Sequence, residues 1–284
     1  MNCIVCGSMT SNGLAPWHTT CRYCDYESAD LAAGINERNT HAGLDEGDRE
    51  TALRALRVEN FEAILDETIH FAPAGANAIL DVGCAHGWFL EAARGQFKHV
   101  LGIEPDAALS EQAMAKGLPV RAGFFPGVLE EGEAFDVIVF NDVIEHITDI
   151  HAALAACRER LTPDGLLILN LPSSRGFFYR LASVLARLGV RGPFERLWQK
   201  GLPSPHVHYF NHRNLSRLVS SSGFFPVHFF ELPALRMRGL MERLRFTGQS
   251  NRAILWAQYV SIVCAIPVLS MFPSDAVVCM FRKR

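Results

Sequence analysis

The stretch Ile79-Leu-Asp-Val-Gly-Cys-Ala-His-Gly-Trp-Phe-Leu90 restricts the fold more than any other part of the chain. An apolar run closes on an acid, Asp81, and breaks into a turn of small residues at Gly83, Ala85 and Gly87. A helix-forming stretch, Trp88 to Arg94, follows at once. Small residues at the tip of a strand let backbone approach a ligand closely, and glycine tolerates the backbone angles such a turn needs. Alone, the turn suits dinucleotide binding, phosphate binding or mere tight packing.

The surrounding pattern supplies the architecture. Apolar residues at Leu53, Leu56, Phe61, Ile64, Leu65 and Ile69 recur at helical spacing over Thr51 to Phe71. Short β-rich runs then alternate with helical ones. Strands are expected at 78–82, 99–103, 119–122, 135–140 and 166–170, with an Asp164-Gly165 turn before the fifth and two further strands at 223–231 and 276–282. Strictly alternating strands and helices imply right-handed crossovers. The fold class is therefore α/β, a doubly wound, mostly parallel, seven-stranded Rossmann-like sheet. With 284 residues, 49% apolar and 20% charged, there is material for one such domain and a small appendage.

The second strand ends in Gly-Ile-Glu-Pro-Asp, which places Glu104 at the neighbouring strand tip, about 20 residues past the glycine turn. A carboxylate there can accept hydrogen bonds from both hydroxyls of a ribose. The ordered segments DVGCAHG, GIEPD, AFDVIVFNDVIEHI and LTPDGLLILNLP together resemble the class I methyltransferases that use S-adenosylmethionine. The segment PHVHYFNHRNLSRLVSSSGF looks like the lead-out of the ubiquinone-type, small-molecule branch. That resemblance implies a cofactor pocket in which Asp81, Gly83, Cys84 and Gly87 surround the methionine end. Glu104 would hold the ribose, Gly123-Phe124 would border the adenine and Asn141 would face the sulfonium. The chain departs from the family at Ala85, where glycine is usual, and at Phe124, where an acid often stands.

Methyl transfer is an in-line displacement, so the enzyme must align the nucleophile and, for a hydroxyl, take its proton. His146, on the first turns after the fourth strand, is the candidate base; the alternative is that Glu145-His146 fixes the helix against the sheet. His206 and His208 line the substrate side or serve as packing residues. Some ubiquinone-type relatives hold a divalent cation at this point. Asp142 and Glu145 stand here without the fuller acidic cluster, and no such metal is expected.

Cys3, Cys6, Cys21 and Cys24 form two C-x2-C knuckles fourteen residues apart, the thiolate set that tetrahedral zinc prefers, with iron as the rubredoxin-like alternative. A segment of this size makes little core of its own, so a structural metal has a clear use. Residues 1–30 are read as a zinc ribbon, 31–50 as a linker and 51–284 as the methyltransferase domain, with a helical insertion at about 232–273. The other four cysteines sit singly in apolar surroundings and read as core.

From Ala253 to Phe272 no residue is charged. A single span would strand 276–282 on the wrong side of a bilayer, so a helical cap over the active site is expected, with membrane-surface contact through 235–272 as a further role. The acceptor is expected to be a small molecule or a lipid- or glycan-linked one, methylated on oxygen. The competing readings are an RNA methyltransferase docking through its ribbon, and a scaffold that binds cofactor without catalysis. A net charge of −3 and few basic residues in 1–50 count against nucleic acid. The start, MNCIVCGSMT, lacks a secretory pattern, and a cytoplasmic location is expected, with membrane association as the alternative.

Overall fold

A computed structural model of the chain describes residues 1–32, 46–233, 237, 240–246 and 251–284. Most of the expected linker, and the start of the basic stretch near 235, lie outside the described residues.

The N-terminal segment forms three short strands, β1 (Ser11–Asn12), β2 (His18–Thr20) and β3 (Glu27–Ala29). A long helix, α1 (Glu46–Phe71), leads into β4 (Ala78–Val82), α2 (Trp88–Ala93), β5 (His99–Glu104), α3 (Ala107–Ala115), β6 (Val120–Ala122) and β7 (Phe135–Asn141). After a single 3-10 turn, Ile144–His146, come α4 (Ile150–Arg160) and β8 (Leu161–Pro172). Two helices, α5 (Phe177–Arg187) and α6 (Gly192–Leu197), precede the two-residue strand β9 (His208–Tyr209). The chain closes with α7 (His212–Ser221), β10 (Phe224–Leu232), α8 (Leu240–Phe246), α9 (Arg252–Leu269) and β11 (Ala276–Lys283).

Seven strands form the main sheet in the order β10-β11-β8-β7-β4-β5-β6, with β11 alone antiparallel to its neighbours. Every expected strand is present. Side-chain alternation divides the core between the two faces, as a doubly wound sheet requires. Ile79, Val137, Val139 and Ile168 pack with α1 and α2 through Phe61, Ile64 and Phe89. Leu80, Ile138, Phe140 and Leu169 pack on the other face with Leu154 of α4 and Leu215 of α7. Phe61, Ile64 and Leu65 supply the buried stripe of α1 as expected, whereas Ile69 lies 48% exposed.

One boundary differs from the sequence reading. The Asp164-Gly165 turn does not precede the fifth strand; it is a bulge inside β8, where the register with β7 shifts between Phe135 and Val137 and Asp164 takes a φ of 60°.

The ribbon is joined to the rest of the chain through its own sheet. The order β1-β2-β3-β9 makes its fourth strand from residues 208–209, paired antiparallel to β3. Its knuckles are alike: the Gly7 N–H donates to Cys3 O and the Asp25 N–H to Cys21 O, each at 2.9 Å. Tyr26 and both buried cysteines, Cys3 and Cys21, belong to the same apolar core as the sheet. On the opposite side Leu14 and Trp17 pack on Phe194 and Trp198 of the α5–α6 segment.

The charge-free stretch forms α9, which runs through Pro267 and ends two residues later. It leaves and rejoins the sheet at one point, because Leu232 pairs with Ala276.

Candidate functional site

The small-residue turn sits at the carboxyl ends of β4, β5 and β7, where ligands of open α/β sheets bind. Its backbone is held off from ordinary geometry by three left-handed residues: Gly83 at φ 74°, Ala85 at 45° and Gly87 at 77°. A Cβ on Gly87 would lie 2.2 Å from Leu118 Cδ1, and one on Gly83 would lie 2.5 Å from Val143 Cγ2, so a side chain at either would displace its neighbour on a backbone angle that already strains it. Ala85 does adopt the left-handed conformation that glycine would hold more easily, at a cost of about 1 kcal/mol. Its N–H donates to Glu104 Oε2 at 2.8 Å, which fixes the loop to the tip of β5.

Two carboxylates face this loop, and both are buried: Asp81 is 1% exposed and Glu104 6%. Burial pushes Asp81 up to about 7, against a hydrogen bond from Asn141 and with help from the charge of Glu104. Burial also raises Glu104, opposed by the N–H groups of Asp106 and Ala85. Asn141 Nδ2 donates to Asp81 Oδ1 at 3.4 Å, and Asn170 Nδ2, from β8, reaches Asn141 Oδ1 at 3.5 Å. Three polar side chains on three adjacent strand tips thus enclose one end of the loop.

The remaining expected contacts divide. Cys84 directs its thiol into the core, against the space a Cβ at Gly102 would fill, and its backbone N–H is already bonded to Ile103 O at 3.0 Å. Phe124 follows β6 and is 62% exposed, so no carboxylate stands there and a flat apolar ring does.

A second group of side chains gathers beyond β7. Glu145, His146 and His206 bring their ligand-capable atoms within 4.8 Å of one another. His146 Nδ1 lies 2.9 Å from Pro205 O, so that nitrogen carries the proton and Nε2 is left as an acceptor. Burial holds His146 below its ordinary 6.5, and burial followed by the charge of His146 holds His206 near 3. Glu145 is buried, and burial followed by the nearby Asp142 raises it well above the usual carboxylate range. Neither oxygen of Glu145 has a hydrogen-bond partner among the described residues, and its Oε1 is 4.0 Å from His146 Nε2 and 3.9 Å from His206 Nε2. The arrangement can accept and pass a proton, and its donor set could also take a cation.

Adjacency in Glu145-His146 was visible in the sequence, but nothing at Ser204-Pro-His206 marks that histidine as their neighbour. The same holds for Arg57, whose guanidinium sits 2.9 Å from Asp142 Oδ2. His208, by contrast, is a satisfied structural residue. Its Nε2 donates to Ile147 O at 3.0 Å and its Nδ1 accepts from Tyr26 OH at 2.5 Å. Burial keeps it neutral, near 4.

At the far end of the chain, Cys3 and Cys24 sulfurs lie 3.5 Å apart, as do those of Cys6 and Cys21. All four fall within 4.8 Å. A tetrahedral zinc with Zn–S bonds of about 2.3 Å sets its sulfurs about 3.8 Å apart, so the thiols are gathered to the right scale.

Comparison with known proteins agrees with this geometry. A family model for the methyltransferase domain matches residues 49–228. Ubiquinone biosynthesis O-methyltransferase of Rhizobium etli (strain CIAT 652) is 31% identical over 97 residues, covering 32% of this chain and 39% of the relative. Its counterpart from Cereibacter sphaeroides (strain KD131 / KCTC 12085) is 33% identical over 119 residues, covering 40% and 48%. The chain therefore spans less than half the length of these relatives. Among solved structures, a SAM-dependent methyltransferase from Thermotoga maritima superposes with a TM-score of 0.55 at 16% identity, over 86% of this chain and 97% of the other. One from Archaeoglobus fulgidus gives 0.54 at 16%, over 84% and 100%.

Proposed function

Because the chain belongs to the methyltransferase domain family, as a class I S-adenosylmethionine-dependent enzyme, we propose that it methylates an oxygen atom of a small-molecule acceptor. The Asp81–Glu104 pair carries this reading. Two buried carboxylates at adjacent strand tips, both raised by burial and Asp81 further by Glu104, are costly without a partner for their charge. They gain from a ligand that brings a positive charge and paired hydroxyls. S-adenosylmethionine offers both, and when bound it supplies an electrophilic methyl group on a sulfonium. Asp81, Asn141 and the backbone of 83–87 would hold its amino-acid end, Glu104 its ribose, and Phe124 the face of its adenine.

The chain's own part in the chemistry is to orient the acceptor and take its proton. His146 suits the second task, since its Nε2 is a free-electron-pair acceptor held neutral by burial. Oxygen as the target is supported by the O-methyltransferase names of the matched relatives. The four gathered cysteines support a structural zinc in the ribbon, fully coordinated by protein and without an open position for catalysis.

Calorimetry with S-adenosylmethionine tests the binding half. Glu104→Gln is expected to weaken binding by about 10- to 100-fold, since an amide accepts poorly from two hydroxyls at once; unchanged affinity would remove Glu104 from the pocket. For the chemical half, turnover is expected to rise with pH through a value below 6.5 and then level off, as neutral His146 forms. His146→Ala is expected to lower kcat by about 100-fold or more and to erase that rise, leaving S-adenosylmethionine affinity intact. An unaltered pH profile in the variant would assign His146 to positioning alone. Acceptors are found by incubating extracts with the protein and seeking the mass gain of one CH2.

A further inference from the structure

Helix α9 exposes far more apolar surface than the helix of a water-facing cap has reason to. It is long and apolar enough to cross a membrane, yet only 6% of it is buried. Trp256, Val260 and Val268 are 56%, 53% and 57% exposed along its length, and Met271, just past its end, is 82% exposed. An exposed strip of this kind marks a contact surface.

Topology decides how such a helix can meet a bilayer. Its two flanks, Leu232 and Ala276, are paired at one end of the same sheet, so the α8–α9 excursion starts and finishes on one side. A lone crossing is excluded, and the helix can only lie along a surface. Its flank in sequence is rich in arginine. From Leu235 to Arg252 the sequence carries five arginines and the single acid Glu242, and Arg245 and Arg252 are exposed. Helix α5 meets the end of α9, through Phe177 N–H to Pro273 O at 3.0 Å and the Phe177–Phe272 ring contact. The segment around it, from Ser173 to Phe194, carries four more arginines and no acid, Arg175 among them lying 3.6 Å from Asp25, and Leu181, Val184 and Leu188 are exposed. Beneath this junction lies a cavity of 510 Å³ walled by Phe177, Leu232, Ile266, Leu269 and Phe272. It also reaches Glu59 of α1, the helix that sends Arg57 to Asp142 beside the candidate base.

The geometry points to α9 and its flanking arginines as a surface that rests on an anionic lipid bilayer. The arginines attract acidic headgroups, and the exposed strip of α9 enters the boundary between headgroups and acyl chains. A second copy of the chain would bring arginine-rich flanks together, which like charge disfavours. Placed so, the cavity faces the bilayer, and the acceptor of the methyl-transfer reading becomes one that resides there. In that respect the inference rests on the proposed function.

The test uses the full chain with vesicles of phosphatidylcholine alone and with about one-third phosphatidylglycerol. Co-sedimentation is expected to be about tenfold stronger with the anionic vesicles and to weaken as salt is added. Trp256 is the most exposed tryptophan, so its fluorescence is expected to shift to the blue and to be quenched by brominated acyl chains. The double variant Trp256→Glu, Val260→Glu is expected to lose sedimentation about tenfold while keeping S-adenosylmethionine affinity, which shows that it is folded. Equal, weak sedimentation with both vesicles overturns the proposal, as does self-association of the wild type that shields Trp256 without lipid. Calorimetry on the same samples separates the two readings. Cofactor binding without vesicle binding overturns the bilayer surface alone, and vesicle binding without cofactor binding overturns the methyl-transfer reading alone.

Discussion

Replacing Asp81 by Asn is expected to weaken S-adenosylmethionine binding by about 100-fold or more while making the ligand-free protein more stable at neutral pH. Both effects have one origin. The side chain is 1% exposed, and burial lifts its carboxyl from 3.8 to about 7. Across that window the folded protein keeps a proton that the unfolded chain has released, so stability falls as pH climbs from about 4 toward about 7 and then levels. The whole shift is equivalent to about 4 kcal/mol, which the ligand-free fold forgoes to keep an anion ready. Asn cannot ionise and escapes this loss. Thermal scans at several pH values check the sign. The variant's melting temperature is expected to exceed the wild type's by several degrees at about pH 8, and the gap is expected to close toward about pH 4. Parallel curves for the two proteins would show that Asp81 carries no such burden. With saturating S-adenosylmethionine the gap is expected to narrow by about 2.7 kcal/mol or more, because the wild type gains more from the ligand.

Removing one ribbon thiol is expected to be the most destabilising single change outside the sheet. For Cys21→Ser we expect loss of zinc and a fall in melting temperature of about 10 °C or more. The reason is the position of the ribbon. The Ala29 N–H donates to Val207 O at 3.0 Å, and the Val207 N–H donates to Glu145 O at 2.9 Å, so one residue ties β3 to the turn that carries His146. Asn214 Nδ2 donates to Cys24 O at 3.1 Å, and Tyr26 holds His208. A ribbon that unravels therefore releases the segment just before β9, which bears His206, from its place beside Glu145. Metal analysis with thermal scans decides the matter, and a metal-free variant that melts with the wild type would make the ribbon an ornament. Imidazole NMR gives a second readout: the His208 ring is expected to titrate near its ordinary range once freed, instead of near 4.

How far these sites were legible depends on whether their residues are close in sequence. Strand 78–82, its acid and its turn form one local pattern, and Glu104 follows at the interval that one crossover helix imposes. The paired cysteines announce a metal site by spacing alone. Residues whose partners come from distant segments gave no such sign. His206 meets Glu145 because β9 is recruited to the ribbon, and β9 has two residues, too few for any periodicity. Arg57 finds Asp142 across 85 positions of chain. The backbone angle of Ala85 was likewise hidden, since alanine adopts it only where Glu104 and the neighbouring strands hold the loop.

The pairing of β3 with β9 also bears on how the protein is made. Residues 27–29 are translated before the main sheet, yet the strand that completes their own sheet, at 208–209, follows most of it. Until then the knuckles can take up zinc but have one open edge, a template for pairing with another chain. The N-terminal strands thus precede the main sheet in synthesis and are closed only after most of it has been made. Closing that edge waits on His208 and Tyr209, the partners of Ser28 and Glu27.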